Sequence, residues 1–296
     1  MDSLATLGIP AYGYGIRYEH GLFEQKFSDG RQVSQRHAWE FERPEVKYRI
    51  NFGGHVEHHE GTAKWVPSET VIATAYDTPV IGWQGVWGNT LRLWGAKPAG
   101  AFDLASFNRG DYLAAGRSEA LARTISRVLY PDDTTDAGKQ LRLKQEYFFT
   151  AASIQDLVRR FLSDHDDIRA LPDHVAIQLN DTHPSIAGPE LVRVLVDDHG
   201  LDMDLAIDLA RRCLGYTNHT LLPEALEKWH EGLMAYVLPR HLEIIRAIDA
   251  AHQAEYPGSP RIIDHEHVHM GELAFIMAHK VNGVSALHSE LVKETV

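Results

Sequence analysis

The first hundred residues contain short runs of β-branched and aromatic residues separated by glycine, proline and aspartate. Four runs stand out, at residues 22–27, 45–54, 69–83 and 89–96. Runs of this kind, bounded by turn-forming residues, predict β-strands joined in hairpins and a meander. We therefore expect residues 1–116 to form an antiparallel, β-rich subregion.

Helical spacing replaces this pattern from about residue 119. One helix is predicted over residues 119–130, ending before Pro131, and a second over residues 137–162. The second carries apolar side chains every three or four positions, which gives it one buried stripe. The stripe comprises Tyr147, Phe148, Ala151, Ile154, Val158, Phe161 and Leu162.

A short apolar run at residues 174–179 predicts a strand of a parallel sheet that is covered on both faces. Helices are predicted to follow at residues 189–198, 203–214, 231–250 and 272–291. Residues 117–296 are thus predicted to be a helix-rich α/β subregion, and the fold class is α/β.

Composition limits the classes of protein to which the chain can belong. Hydrophobic residues make up 44% of its 296 residues, so it can bury a core, and its net charge of −12 argues against nucleic acid and membrane partners. It shows neither an apolar run of about 18 residues nor a signal peptide, so we expect a cytoplasmic protein. The single cysteine, Cys213, excludes an intrachain disulfide and is expected to be buried.

A polar segment follows the predicted strand at residues 174–179, where α/β proteins bind ligands. It consists of Asn180, Asp181, Thr182 and His183. The segment fits a ligand site and a helix-entry turn equally well, since Asn, Asp and Thr are good N-cap residues.

A second polar segment lies within residues 215–226. Asn218 and His219 precede Pro223 and Glu224, which suit the first turn of a helix. The ring of His219 can hydrogen-bond to a sugar hydroxyl or serve a structural role, and spacing alone favours the structural role.

Charged residues flank the helix predicted at residues 137–162. Asp132 and Asp133 precede it, and adjacent carboxylates are solvated, cap a helix or hold a ligand, with capping as the default. Arg159 and Arg160 end it, where they either bind a phosphate or complement the helix C-terminus.

Two histidine clusters suggest a metal-dependent hydrolase as a minor hypothesis. The clusters are His55, His58 and His59, and His265, His267 and His269 around Glu266. Neither has the spacing of a helical HExxH motif or a neighbouring cysteine, so the sequence favours no metal site.

Eight segments, in order along the chain, resemble consecutive stretches of the α-glucan phosphorylases, which act on glycogen, starch or maltodextrin. They include GKQLRLKQEYFFTAASIQDLVRRF, QLNDTHPSIAGPELVRVLVD, YTNHTLLPEALEKW and VNGVSALHSELVK. No single segment is specific, but the ordered set is. The chain resembles an internal fragment of such an enzyme, mostly an incomplete N-terminal domain.

This resemblance implies a partial GT-B fold with a Rossmann-like domain. The implied reaction transfers a terminal α-1,4-linked glucosyl unit to orthophosphate and yields glucose 1-phosphate with retained configuration. The implied cofactor is pyridoxal 5′-phosphate, whose attachment lysine has no counterpart in this chain. The complete enzyme is expected to be a homodimer, with the helix at residues 119–130 packing across the dimer.

The resemblance assigns catalytic roles to His219 and Asp181. His219 matches the histidine that contacts the glucosyl unit, and Asp181 matches a residue of the turn that lines the site. His183, in the same turn, and Asn218 are implied to bind substrate.

Two further pairs carry implied roles. Asp133 matches the acid of a mobile loop that gates the cleft, and Thr134 beside it stands where the family has asparagine. Arg159 and Arg160 match arginines that bind an activator phosphate. With the cofactor lysine missing, we expect the chain alone to be inactive. Because an incomplete domain exposes apolar surface, we also expect it to be poorly soluble. The alternative is a noncatalytic glucan-binding or dimerisation module.

Overall fold

The computed structural model describes residues 1–21, 24–35, 40–220 and 226–295. The chain forms two compact units, the first made of Met1–Asn51 with Thr70–Ser153 and the second of Phe52–Glu69 with Ile154–Val296. Both units contain strands and helices, so the α/β class is confirmed.

The elements are numbered in chain order. The described strands are β1 (Tyr12–Ile16), β2 (Glu24–Ser28), β3 (Arg31–Gln35), β4 (Phe41–Phe52), β5 (His55–His59), β6 (Thr62–Val66), β7 (Glu69–Ile81), β8 (Gly88–Pro98), β9 (Ile177–Asn180), β10 (Leu214–Thr217), β11 (Lys228–His230), β12 (Ile263–Asp264), β13 (His267–His269) and β14 (Lys280–Asn282). The α-helices are α1 (Asp2–Thr6), α2 (Leu104–Asn108), α3 (Tyr112–Thr124), α4 (Asp136–Leu162), α5 (Leu171–His174), α6 (Ala187–Arg193), α7 (Met203–Cys213), α8 (Glu231–Val237), α9 (Pro239–Glu255), α10 (Met270–Met277) and α11 (Ala286–Thr295).

The first unit is built on a four-stranded sheet in the order β1-β8-β7-β4. β7 and β8 are antiparallel, as are β2 and β3, so the expected hairpins are present. β1, however, pairs with β8 in parallel, which makes the sheet mixed. A short turn forces neighbouring strands to be antiparallel, whereas the long connection from β1 to β8 does not.

The core of the first unit lies on one face of this sheet. Val71, Ala73 and Ala75 are buried on β7, at the two-residue period of a strand, and Trp94 is buried on β8. The indole N–H of Trp94 donates a hydrogen bond to Oγ of Ser153 at 3.0 Å, which joins the sheet to α4.

Helix α4 confirms the helix predicted at residues 137–162. The backbone N–H of Gly138 donates to Oγ1 of Thr135 at 3.1 Å, so a threonine hydroxyl caps its first turn. The predicted stripe, Leu162 excepted, is buried. Although α4 has 27 residues, neither it nor another helix among the described residues is long and apolar enough to cross a bilayer.

The second unit contains a three-stranded parallel sheet in the order β14-β10-β9. Leu179, Leu214 and Tyr216 are buried in it, and the ring of Tyr216 packs edge-on against Phe275 of α10 at 5.2 Å. Cys213 is buried, as predicted, and this burial raises its pKa to about 12. A second sheet, β11-β13-β12, is antiparallel.

The strand predicted at residues 174–179 is shorter and less covered than expected. It runs from Ile177 to Asn180, and Gln178 and Asn180 are exposed while Leu179 is buried. The alternating exposure shows that one of its faces carries polar side chains.

Helix boundaries differ from prediction where a cap or a proline intervenes. The helix predicted at residues 119–130 is α3, which begins at Tyr112 because Asp111 accepts the N–H of Ala114 at 3.0 Å, and it ends at Thr124. The helix predicted at residues 231–250 is divided into α8 and α9 at Leu238, which has a non-helical backbone before Pro239.

Two other predicted helices also differ. The helix predicted at residues 189–198 begins two residues early, as α6, and ends in a π-helical turn, Val194–Asp198. The helix predicted at residues 272–291 is interrupted, since the short strand β14 lies between α10 and α11. A three-residue strand is too short to show a period of its own.

Candidate functional site

The three parallel strands of the second unit end in a row of polar side chains. Thr217 at the end of β10 is in register with Asn180 of β9 and with Asn282 of β14. The side-chain amide of Gln178 donates to Oγ1 of Thr217 at 2.9 Å, and that hydroxyl donates to Oδ1 of Asn282 at 3.3 Å. The carboxyl edge of the sheet is therefore a hydrogen-bonded polar surface.

The turn that leaves β9 is strained at Asp181. This residue has a φ of 67°, in the left-handed region that non-glycine residues rarely adopt. Its backbone N–H donates to the carbonyl of Thr217 at 3.1 Å, and its Oδ1 accepts the N–H of Thr182 at 2.8 Å. These bonds hold Asp181 beside the end of β10.

His183 lies between two carboxylates. Its Nδ1 is 3.0 Å from Oε1 of Glu227, and its Nε2 is 3.8 Å from Oδ2 of Asp181. The other oxygen of Glu227 accepts the hydroxyl of Thr182 at 2.9 Å. Glu227 could not be recognised from the sequence. Its contacts with this turn span more than forty residues, and no sequence motif marks a glutamate in such a segment.

The segment that leaves β10 is fixed by Asn218. Its backbone N–H donates to the carbonyl of Asn282 at 2.9 Å, and its side-chain amide donates to the hydroxyl of Tyr216 at 3.1 Å. Its own Oδ1 is buried and accepts no hydrogen bond from the described residues. Burial raises the pKa of Tyr216 to about 12, with the charges of Asp181, Glu272 and Glu227 adding to the effect.

His219 follows Asn218 directly and is exposed. It therefore leaves the sheet at the same edge as Asp181, which follows β9. The helical turn predicted at Pro223 and Glu224 lies outside the described residues.

Asp133 and Thr134 belong to the first unit. Oδ2 of Asp133 is 3.1 Å from Nη1 of Arg142, and Thr134 is exposed. Oδ1 of Asp132 accepts the N–H of Thr134 at 2.9 Å, and this backbone hydrogen bond lowers the pKa of Asp132. The acidic pair thus orders its own loop, while Thr135 caps α4.

Arg159 and Arg160 lie in the last turn of α4, in the second unit. Nη2 of Arg159 is 3.3 Å from Oδ1 of the buried Asp156, and Arg160 is half-buried. A cation at this position stabilises the C-terminal end of the helix, and Arg159 also forms an ion pair with Asp156.

The two histidine clusters pair with acidic or backbone groups. Nε2 of His58 lies 3.0 Å from Oε1 of Glu243, and Nδ1 of His265 lies 2.7 Å from Oδ2 of Asp264. Within the described ranges, neither cluster brings three ligand atoms within 4.8 Å of one another. His230, which belongs to neither predicted cluster, lies beside His267, and their ring centroids are 5.4 Å apart.

An open parallel sheet with a polar carboxyl edge is the arrangement by which α/β proteins bind small polar ligands. The family model of the carbohydrate phosphorylases matches residues 1–296, and the chain belongs to this family. The resemblance found in the sequence is thereby confirmed.

Curated relatives agree with this assignment. The chain is 46% identical to glycogen phosphorylase, brain form, of Homo sapiens and 47% identical to the muscle forms of Homo sapiens and Mus musculus. Each alignment covers 100% of this chain and 38% of the relative. The chain therefore spans well under half the length of the relatives it matches.

Proposed function

We propose that the protein is an α-glucan phosphorylase, which transfers terminal α-1,4-linked glucosyl units to orthophosphate, and that this chain forms part of a GT-B fold. The observation that carries the proposal is identity of 46–47% to glycogen phosphorylases over the whole chain. The polar edge of the parallel sheet supports it, because a sugar is recognised through many hydroxyl groups.

The proposed carbohydrate contacts lie at that edge. His219, with its ring exposed, hydrogen-bonds a hydroxyl of the glucosyl unit, and Asp181 provides a carboxylate held in place by the strained turn. His183 and Asn218 bind or orient substrate beside them. In this reaction orthophosphate itself protonates the leaving oxygen, so a pair of glycosidase carboxylates is not required.

Two peripheral roles are proposed from the family. Asp133 and Thr134 contact the sugar from a mobile loop of the first unit. Asp133, whose side chain is about half exposed, would exchange its contact with Arg142 for the sugar. Arg159 and Arg160 bind an effector phosphate, for which Arg159 would exchange its contact with Asp156.

Pyridoxal 5′-phosphate is the proposed cofactor of the family reaction, and its phosphate supplies a proton relay when bound. Its aldehyde needs a lysine amine desolvated in a pocket. Of the nine lysines, all but Lys26 have described side chains, and each of these is exposed or partly exposed. The lysines with described side chains thus do not fit the aldehyde, in keeping with the family resemblance, which matches none of them to the cofactor lysine.

We further propose that the protein is a cytoplasmic homodimer that pairs through the region of α3. Leu113 on this helix is 89% exposed and Leu121 is 60% exposed. Tyr112 and Phe107 lie beside them with ring centroids 5.0 Å apart. Neighbouring exposed apolar groups favour an interface. Light scattering should therefore give the mass of a dimer, and the Leu113→Glu variant should give the mass of a monomer.

The test of the main proposal is product analysis with the complete reading frame of the gene. With maltodextrin, orthophosphate and pyridoxal 5′-phosphate, we expect α-glucose 1-phosphate, and the 296-residue chain alone should give none. Free glucose as the product would contradict the proposal. Saturable maltoheptaose binding with no product from either protein would favour the noncatalytic glucan-binding module.

A further inference from the structure

Two histidine rings that belong to neither predicted cluster lie side by side in the second unit. His165 follows the end of α4, and His174 is the last residue of α5. Their ring centroids are 4.2 Å apart, and the ring of His165 also stacks on that of Phe161 at 4.5 Å, with an interplanar angle of 2°. The fold thus brings together two imidazoles from the two sides of the loop between α4 and α5.

The ring of His165 is fixed in one tautomer. Its Nδ1 lies 3.1 Å from the carbonyl oxygen of Phe161, which also accepts the backbone N–H of His165 at 3.0 Å. A carbonyl oxygen only accepts hydrogen bonds, so Nδ1 carries the proton and Nε2 of the neutral ring keeps its lone pair. Histidines that bind metal ions are held in this way, with one ring N–H donating to a backbone carbonyl or carboxylate and the other nitrogen binding the metal.

His174 makes only ring contacts with the described residues. Its imidazole packs against His165 and, with centroids 6.1 Å apart, against Phe161. In the described ranges, neither of its nitrogens forms a hydrogen bond or an ion pair with another residue. The side chain of His174 is exposed, so an ion reaches the pair directly from solvent.

A second histidine pair in the same unit lacks this arrangement. The rings of His230 and His267 are 5.4 Å apart, but Nδ1 of His230 accepts the backbone N–H of Gly232 at 3.0 Å. In the neutral ring, Nε2 then carries the proton, so His230 has no lone pair left for a metal ion.

The sequence around His165 and His174 is acidic. Residues 163–175 contain four aspartates and one arginine, a formal charge of −3, and Asp164 and Asp166 on either side of His165 are exposed. A negative potential favours a cation. Mg²⁺ and Ca²⁺ prefer oxygen ligands, whereas imidazole nitrogens suit Zn²⁺, Ni²⁺ and Cu²⁺, so the paired rings select a transition-metal ion.

We propose that His165 and His174 bind a divalent transition-metal ion, such as Zn²⁺, through their imidazole nitrogens. The ion links the end of α4 to α5, and water completes its coordination, since no third ligand atom from a described His, Cys, Asp or Glu joins the pair within 4.8 Å. The pair precedes β9, whereas the proposed carbohydrate contacts follow the carboxyl ends of β9 and β10. The proposal therefore does not depend on the proposed function.

Isothermal titration with Zn²⁺ into protein freed of metal with EDTA tests this site. We expect the affinity to fall more than about 10-fold in His174→Gln, because the loss of an outer-shell partner alone costs this much. His174 is exposed, so this variant should fold like the parent. Equal affinity of the parent and folded His174→Gln for Zn²⁺ would overturn the proposal.

Two controls separate the ring pair from general cation binding. His199, which is also exposed and in the second unit, gives the matched variant His199→Gln, whose affinity for Zn²⁺ should equal that of the parent. Mg²⁺ should not compete with Zn²⁺ for the site. Competition by Mg²⁺ at equal concentration would show that carboxylates hold the cation, which would also overturn the proposal.

Stability and nitrogen spectra provide readouts that do not depend on calorimetry. Zn²⁺ at 100 times its Kd for the parent should lower the unfolding equilibrium constant about 100-fold in the parent and about 10-fold or less in His174→Gln. In protein labelled with ¹⁵N-histidine, His165 should be protonated at Nδ1, and Zn²⁺ should shift its Nε2 signal, which is identified by its loss in His165→Gln. An Nε2 signal of His165 that Zn²⁺ does not move would refute the site.

Discussion

In the second unit, Nε2 of His241 lies 2.6 Å from Oε2 of Glu190, and neither side chain is exposed to solvent. Arg193 contacts the same carboxylate through Nε at 2.9 Å and Nη2 at 3.0 Å. Burial alone would raise the pKa of Glu190, but the charge of Arg193 and the bond to His241 hold it at about 2. Glu190 is therefore an ionised group at the centre of a buried network.

Removing this charge should destabilise the second unit. We expect Glu190→Gln to lower the free energy of unfolding by about 3–5 kcal/mol, since Arg193 would lose charged contacts that offset its desolvation. Urea unfolding at pH 7 measures the change. Glu255→Gln, at an exposed ion pair with Arg211, is the control and should cost less than about 1 kcal/mol; equal losses would contradict the prediction.

Acid should destabilise the same unit in two stages. Burial lowers the pKa of His241, so below about pH 6.5 the unfolded chain binds a proton that the folded protein does not, and stability falls. The stability from Glu190 is fully present above its ordinary pKa of 4.5 and is lost as the pH falls toward 2.

Unfolding free energies between pH 7 and pH 3 separate these stages. His241→Gln should weaken the decline that begins near pH 6.5, to which His252 with its lowered pKa also contributes, and should leave the later decline in place. If this variant followed the same pH profile as the parent protein, the first stage would not belong to His241.

A buried ion pair connects the hairpin strands of the first unit. Arg92 contacts Asp77 through Nε at 2.8 Å and Nη2 at 2.9 Å, and despite burial these bonds lower the pKa of Asp77. We expect Arg92→Met to cost about 3–5 kcal/mol, because a carboxylate stays buried without its main partner. Arg43→Met, which removes a half-exposed partner of Asp77 at 3.2 Å, should cost less than about 1 kcal/mol. Thermal unfolding compares the two variants, and the reverse order would show that the pair does not stabilise the sheet.

The strained backbone at Asp181 predicts different results for two substitutions. Asparagine tolerates a positive φ and keeps the acceptor for the N–H of Thr182, so Asp181→Asn should melt at the same temperature as the parent protein. Its kcat/KM should fall, because the carboxylate is lost. Asp181→Ala should also lose about 1–2 kcal/mol of stability, since it removes that bond and places a Cβ in the left-handed region. Calorimetry and phosphorolysis assays check both variants. Stability of Asp181→Ala equal to that of the parent would show that the turn is not strained.

Long regular elements could be predicted from the sequence because their period is visible. Helix α4 repeats its apolar residues over 27 positions, and β7 is bounded by turn-forming residues. The short strand β14 could not be predicted, because Lys280, Val281 and Asn282 are all exposed and show no alternation. Its place in the sheet depends on pairing with β10, which is a tertiary contact.

The polar segments of the candidate site could be recognised, but their partners could not. Asp181 and His183 stood out because they follow a predicted strand. Glu227 reaches them across 44 residues, and no local pattern marks that approach. The left-handed backbone of Asp181 could not be predicted either, because aspartate in a turn most often has a negative φ.

The order of strands in the parallel sheet affects when the polar edge can form during synthesis. Thr217 pairs its hydroxyl with Gln178, 39 residues upstream, and with Asn282, 65 residues downstream. A ribosome must therefore release nearly all of the second unit before the final strand can dock on β10. Until then the edge of β10 offers unpaired backbone groups, which can pair with a strand of another chain.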